Sequence, residues 1–243
     1  MKNIIRKLFN VGLENETSRI IWVEKTLKNI PAGLKILDAG AGECQYKKFC
    51  SHLEYVSQDF AQYNGEGNSK GLQTKTWDNT KLDIISDITA IPVPDKSFDV
   101  IMCTEVFEHL PDSISAIKEF SRILKPGGYL IITAPFRSLT HFAPYHFYSG
   151  FNKYFYERNL GESGFEIKEI TPNGNYFEYI AQELRRVSSV ATSFSTKTWN
   201  FVMKLFLYPL LWILKKLSKE DKGSSELLCF GYHVLARKNK EIK

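Results

Sequence analysis

Residues 34–46 read LKILDAGAGECQY, and the fold turns on how this stretch is parsed. LKILD is a short apolar run ending in an acid, the pattern of a strand buried on both faces. Gly40 and Gly42 follow at once, and the spacing predicts a helix over residues 43–53. A strand, a Gly-x-Gly turn and a helix form a ligand cradle. Glycines let the backbone approach a ligand, and a helix N-terminus offers unpaired N–H groups.

Outward from this stretch the chain alternates strands and helices. A helix is expected over residues 20–30, stopped by Pro31-Ala32-Gly33. Further strands are expected at 54–58, 82–86, 98–103, 129–133, 165–170 and 228–236, with helices at 112–124 (Asp112 as N-cap) and 152–160. Such alternation predicts an α/β fold, a Rossmann-like, mostly parallel sheet covered by helices on both faces. Residues 62–81 are polar and rich in Gly and Asn, and read as a long surface loop.

Two further acids stand at strand ends. Asp59 follows the second strand, 21 positions after Asp38, where a carboxylate can accept both hydroxyls of a ribose. Asp87, with Ile88, follows the third, where a carboxylate can accept from an adenine amino group while the isoleucine packs on the ring. Any one of these acids could be a helix cap or a loop acid; three at successive strand ends point to a ligand. A nicotinamide dinucleotide is the rival ligand, but its G-x-G-x-x-G pattern fails at Gln45.

These residues, with FDVIMCTEVFEHLPD (98–112) and LKPGGYLIITAPF (124–136), resemble the class I S-adenosylmethionine (SAM)-dependent methyltransferases. The resemblance covers residues 34–170, and 228–236 fits that family's last strand. It implies a seven-stranded sheet whose last strand is antiparallel, and SAM as cofactor. It further implies that Asp38, Ala39, Gly40 and Gly42 shape the pocket for the methionine part, that Asp59 holds the ribose with Phe60 beside the adenine, that Asp87 and Ile88 contact the adenine, and that Thr104 and Glu105 border the methionine moiety. Cys44 stands where the family has its third glycine, which puts the contact at that position in doubt.

The fifth strand delivers TAPFRSLTHFAPYHFYSGF (133–151) to the acceptor side. His146 and His141 are the candidate bases, since imidazole titrates near neutral pH. Arg137, Tyr145 and Tyr148 are the candidate acceptor-binding residues. His109 reads as structural first, and Glu105 and Glu108 could orient the acceptor. No metal site is expected: His141 and His146 are five apart, wrong for one helix face, and no zinc-type Cys/His cluster is visible. An aromatic-rich loop suits a sugar or planar ring, so O-methylation of a glycan or its lipid-linked precursor is the leading expectation. The alternatives are a quinone-like or isoprenoid acceptor and a non-catalytic SAM-binding regulator.

With 32 basic and 27 acidic residues in 243, the net charge of +5 is too mild to argue for nucleic acid, and no basic stripe does so either. Four cysteines without a C-x-x-C pair, and no signal peptide, read as reduced thiols in a cytoplasmic protein. Residues 1–170 are expected to form the core with its N-terminal helices, residues 171–227 a helical cap inserted before the last strand, and residues 228–243 that strand and a basic tail. Within the insertion, LFLYPLLWIL (205–214) is too short to span a bilayer and is interrupted by Pro209. Lys197, Asn200, Lys204, Tyr208 and Lys215 fall in one polar stripe, the rest of the helix being apolar. That suits a helix buried on most sides, or residues 201–217 lying in the inner membrane surface. The N-terminus, with Ile4, Ile5, Leu8 and Phe9 on one side, invites the same two readings.

Overall fold

The computed structural model describes residues 9–196 and 200–240, side chains of 200–204 excepted. Ile4, Ile5, Leu8 and Lys197 therefore lie outside the described residues. The elements run α1 (Asn15–Lys28), β1 (Lys35–Ala39), β2 (Glu54–Asp59), β3 (Ile84–Ile85), β4 (Phe98–Thr104), α2 (Ser113–Ile123), β5 (Leu124–Pro135), α3 (Lys153–Glu162), β6 (Phe165–Asn173), α4 (Tyr176–Phe194), α5 (Asn200–Lys219) and β7 (Gly231–Lys238). The sheet order is β3-β2-β1-β4-β5-β7-β6. β1 to β5 pair in parallel, and β7 runs antiparallel to β5, from Tyr129 opposite Arg237 to Pro135 opposite Gly231. The expected α/β sheet with its reversed last strand is present.

Contacts group the chain into two units, residues 20–171 with 231–243, and residues 1–19 with 172–230. In the first, Ile36, Val100, Met102 and Ile131 of the sheet pack with Val23 and Leu27 of α1 and with Tyr46 and Cys50. α2 buries Ala116, Ile117, Phe120 and Ile123, and Asp112 caps it by accepting from the Ser115 N–H at 2.9 Å. Asn152 caps α3 in the same way. All four cysteines are buried.

Two local expectations are corrected. Residues 42–53 form successive turns and a single 3-10 turn (Lys47–Phe49) instead of a helix. Cys44 sits at φ 58, in the left-handed region that a right-handed helix cannot contain. β3 shrinks to two residues because the Asp83 carboxylate takes the Ser57 N–H, at 2.8 Å, that a longer ladder would bond. That exchange also holds the Asp83 carboxyl below its usual range.

In the second unit, Val11, Ala181, Leu211 and Leu214 form a small core flanked by Phe9, Phe177, Ile180, Leu184 and Leu207. The N-terminal segment, assigned to the core from sequence, groups here instead: Arg185 donates to the Val11 carbonyl at 3.0 Å and to that of Phe9. α5 continues through Pro209, which removes one N–H donor within the helix. Its buried stripe is narrow. Leu207, Leu211 and Leu214 face the core, while Leu205, Phe206, Leu210, Trp212, Ile213 and Leu217 are exposed. The expectation of burial on most sides is not met among the described side chains. No helix of the described residues is long and apolar enough to cross a membrane.

Candidate active site

The carboxyl ends of β1, β2 and β4 converge on the glycine turn. Asp38 is 1% exposed, and the Tyr55 hydroxyl donates to it at 2.6 Å. Gly40 and Ala41 both donate to the Gln58 carbonyl, at 2.8 and 2.9 Å, which folds the turn over the end of β2. The Gly42 N–H donates to Asp59 Oδ2 at 3.0 Å, and the Ala61 N–H to Asp59 Oδ1 at 2.9 Å. The turn is thus organised by the Gln58 carbonyl and the Asp59 carboxylate, not by a helix N-terminus.

Glycine is required at two places. Gly40 has φ 75, and a Cβ there would stand 2.4 Å from Val106 Cγ2. Gly42 has φ 50, and a Cβ there would stand 2.5 Å from Trp77 Cζ2. Cys44, at the third position, accepts a left-handed backbone that glycine would adopt without cost.

Burial raises the Asp38 carboxyl from its ordinary 3.8 to about 7; the Tyr55 hydroxyl opposes the rise and the like charge of Asp59 adds to it. Burial likewise raises Asp59, against the pull of the Ala61 and Gly42 amides. Nothing among these influences is a cation, so two buried carboxylates face a site where positive charge would be stabilised.

The other expected residues are placed as follows. Ala39 is buried at the end of β1, and Thr104 at the end of β4. Glu105 has φ 55 and accepts from Thr133 Oγ1 at 2.9 Å. Ile88 is buried, whereas Asp87 is exposed and bonds Thr89 through its N–H and hydroxyl, both at 2.8 Å. Phe60 meets the Tyr145 ring edge-on at 4.9 Å. Tyr148 donates to the Pro111 carbonyl at 3.0 Å, and Arg137 is exposed.

The loop of residues 136–151 is held over this end of the sheet. The N–H groups of Phe147 and Tyr148 donate to the Glu108 carbonyl, and that of Phe151 to the Pro135 carbonyl. His146 Nε2 lies 3.1 Å from Ser138 Oγ, and burial with the neighbouring His141 lowers its pKa.

Sequence reading missed the part played by residues 62–81. This stretch pairs with the loop of residues 136–151: Leu72 donates to Thr140 O, and Phe142 to Leu72 O. Phe142 stacks on Tyr63 at 4.5 Å and meets Trp77 at 5.3 Å, so Trp77 bridges the glycine turn and the loop of residues 136–151. Aromatics inside an otherwise polar loop were the available signal. The sequence reading also did not group three potential ligand side chains. Glu108, His109 and His141, too far apart in sequence to be read as a motif, place one ligand atom each within 4.8 Å of the others. Burial pushes the His109 imidazole down to about 3, with the charge of His141 adding to the effect.

Residues 37–132 match the family model described as a methyltransferase domain. A ubiquinone biosynthesis O-methyltransferase from Leptothrix cholodnii is 29% identical over 124 residues, 47% of this chain and 49% of that one. A 2-methyl-6-phytyl-1,4-hydroquinone methyltransferase from Synechocystis sp. is 27% identical over 106 residues, 44% of this chain and 33% of that one. The chain spans about half the length, or less, of these curated relatives. A SAM-dependent methyltransferase from Archaeoglobus fulgidus shares the fold, with TM-score 0.56 at 16% identity over 93% of this chain and 98% of that one. Residues 37–132 thus carry a methyltransferase domain, and the chain has the fold of a SAM-dependent methyltransferase. The residues present suit that cofactor: a turn whose glycines admit no Cβ, and two buried carboxylates without a cation, facing what is a positively charged ligand.

Proposed function

We propose that this chain transfers a methyl group from SAM to a quinone-like or isoprenoid acceptor held under the loop of residues 136–151. The observation that carries the donor half is the buried Asp38–Asp59 pair around the glycine turn. When bound, SAM supplies an activated methyl group on a sulfonium. Asp38, Ala39, Gly40 and Gly42 shape the methionine end, Asp59 holds the ribose hydroxyls, Phe60, Asp87 and Ile88 border the adenine, and Thr104 and Glu105 line the approach to the methyl group. Release of Asp87 from Thr89 is part of that reading.

On the acceptor side, Tyr145, Tyr148 and Arg137 orient the ring, and His146 and His141 stand ready to take a hydroxyl proton. Positioning supplies most of the rate in an in-line methyl transfer. The names of the relatives favour the quinone-like acceptor over the saccharide expected from the loop alone; neither relative named above is described as acting on a saccharide.

The exposed apolar face of α5 supports a lipophilic acceptor. Phe206, Leu210, Ile213 and Leu217 follow helical spacing, with Lys216 flanking them. A helix of this kind lies in a membrane surface with its lysines toward anionic headgroups. Incubation with SAM and a panel of demethylated quinols and saccharides, read by mass, tests the acceptor. A methyl gained by the quinols is expected, and a methyl gained only by saccharides overturns the reading. Flotation with anionic vesicles tests the surface contact: protein remaining at the bottom of the gradient sinks it.

A further inference from the structure

We propose that Glu108, His109 and His141 form a binding site for a divalent transition-metal ion of the zinc class, which holds an oxygen of the acceptor. This deepens the methyl-transfer reading and rests on it. Glu108 is 1% exposed, and its Oε1 lies 3.8 Å from the Nε2 of both His109 and His141. That is too long for a hydrogen bond, whose heavy atoms stand about 2.7–3.2 Å apart. It is close to what an ion needs: with bonds of about 2.1 Å, a tetrahedral centre sets its ligand atoms about 3.4 Å apart.

The tautomers agree with the geometry. His109 Nδ1 lies 2.5 Å from the Tyr145 carbonyl, and His141 Nδ1 lies 2.9 Å from the Leu139 carbonyl. A nitrogen facing a carbonyl oxygen carries the hydrogen, so in each neutral ring the lone pair is on Nε2, the nitrogen 3.8 Å from Glu108 Oε1. Metal-ligating histidines are held in this way, one nitrogen donating to a carbonyl while the other meets the ion. Stacking on Phe142, at 5.2 Å and 14° between planes, fixes the His109 ring further.

Two imidazoles and one carboxylate select zinc, manganese, cobalt or iron(II) over magnesium and calcium, which prefer all-oxygen sets. Three protein ligands leave positions for oxygen donors. Phe142 links the cluster to Trp77 and so to the glycine turn, which puts an ion-held acceptor oxygen on the cofactor side of the loop. His141 then serves as a ligand, and His146 alone remains for the proton.

The test is titration of the chelator-treated, full-length protein with Co²⁺, followed by calorimetry and by visible absorption. One equivalent per chain is expected, with absorption bands typical of nitrogen and oxygen ligation. His141→Ala, on the loop, is expected to weaken binding at least 10-fold, and Glu108→Gln to do the same. Because Glu108 is buried, the loop variant decides the matter if the Gln variant fails to fold. Absence of stoichiometric binding, or binding unchanged in His141→Ala, overturns the site. SAM binding and methyl transfer by the metal-free protein separate the two ideas. Full transfer without metal sinks the ion's hold on the acceptor and leaves the methyl-transfer reading standing. Stoichiometric Co²⁺ binding that His141→Ala abolishes, with no transfer to any acceptor, sinks the methyl-transfer reading and leaves the site.

Discussion

Replacing Asp38 by Asn isolates what a buried carboxylate costs the ligand-free protein. The rise of Asp38 from 3.8 to about 7 corresponds, at 1.36 kcal/mol per pH unit, to about 4 kcal/mol of destabilisation once the group is ionised. A carboxyl with a raised folded-state pKa binds its proton more tightly when folded. Its contribution to stability is fully present below pH 3.8, is lost as pH rises to about 7, and is flat above that. Asparagine does not titrate and can still accept from the Tyr55 hydroxyl. The difference between Asp38→Asn and wild type should therefore grow from under about 1 kcal/mol at pH 4 to about 4 kcal/mol at pH 7 and above. Relaxation and water entry reduce the measurable share to about 2–4 kcal/mol, a rise of roughly 5–15 °C in Tm. Thermal unfolding of both proteins without ligand, from pH 4 to pH 8.5, provides the readout. The same variant should bind SAM at least 10-fold more weakly, because a neutral amide no longer offsets the cofactor's positive charge. A variant less stable than wild type at pH 8, or a difference that does not change with pH, refutes the reasoning.

Gly40→Ala should abolish SAM binding and lower stability by about 1–3 kcal/mol, since a Cβ at φ 75 would meet Val106; calorimetry and thermal unfolding check both. His146→Ala should lower kcat by about 10²–10⁴ while leaving the SAM dissociation constant unchanged, measured in single-turnover assays with an identified acceptor. Leu211→Ala removes a side chain that is fully buried in the small helical core and should cost about 2–5 kcal/mol, read as faster hydrogen exchange in α4 and α5.

The alternation of strands and helices, and the meeting of the glycine turn with Asp59, were legible because their signals are local. Asp38, Gly40 and Gly42 lie within five residues, and Asp59 closes the next strand. The helix expected after the turn failed because one backbone angle, at Cys44, decides it, and cysteine carries no sequence signal for a left-handed conformation. Trp77 escaped notice because a polar loop hides a side chain whose partner, Gly42, is thirty-five positions away. Glu108, His109 and His141 were read separately for a similar reason. They meet only because the N–H groups of Phe147 and Tyr148 tie the acceptor loop back to the Glu108 carbonyl. The apolar run of α5 was conspicuous in the sequence, but which of its faces is covered depends on packing against α4.

Calorimetric titration of the purified chain with SAM tests the central claim most directly. Saturable binding at one equivalent per chain, lost in Asp59→Ala, is the result this account requires. Absence of binding, or binding that survives removal of the Asp59 carboxylate undiminished, contradicts it.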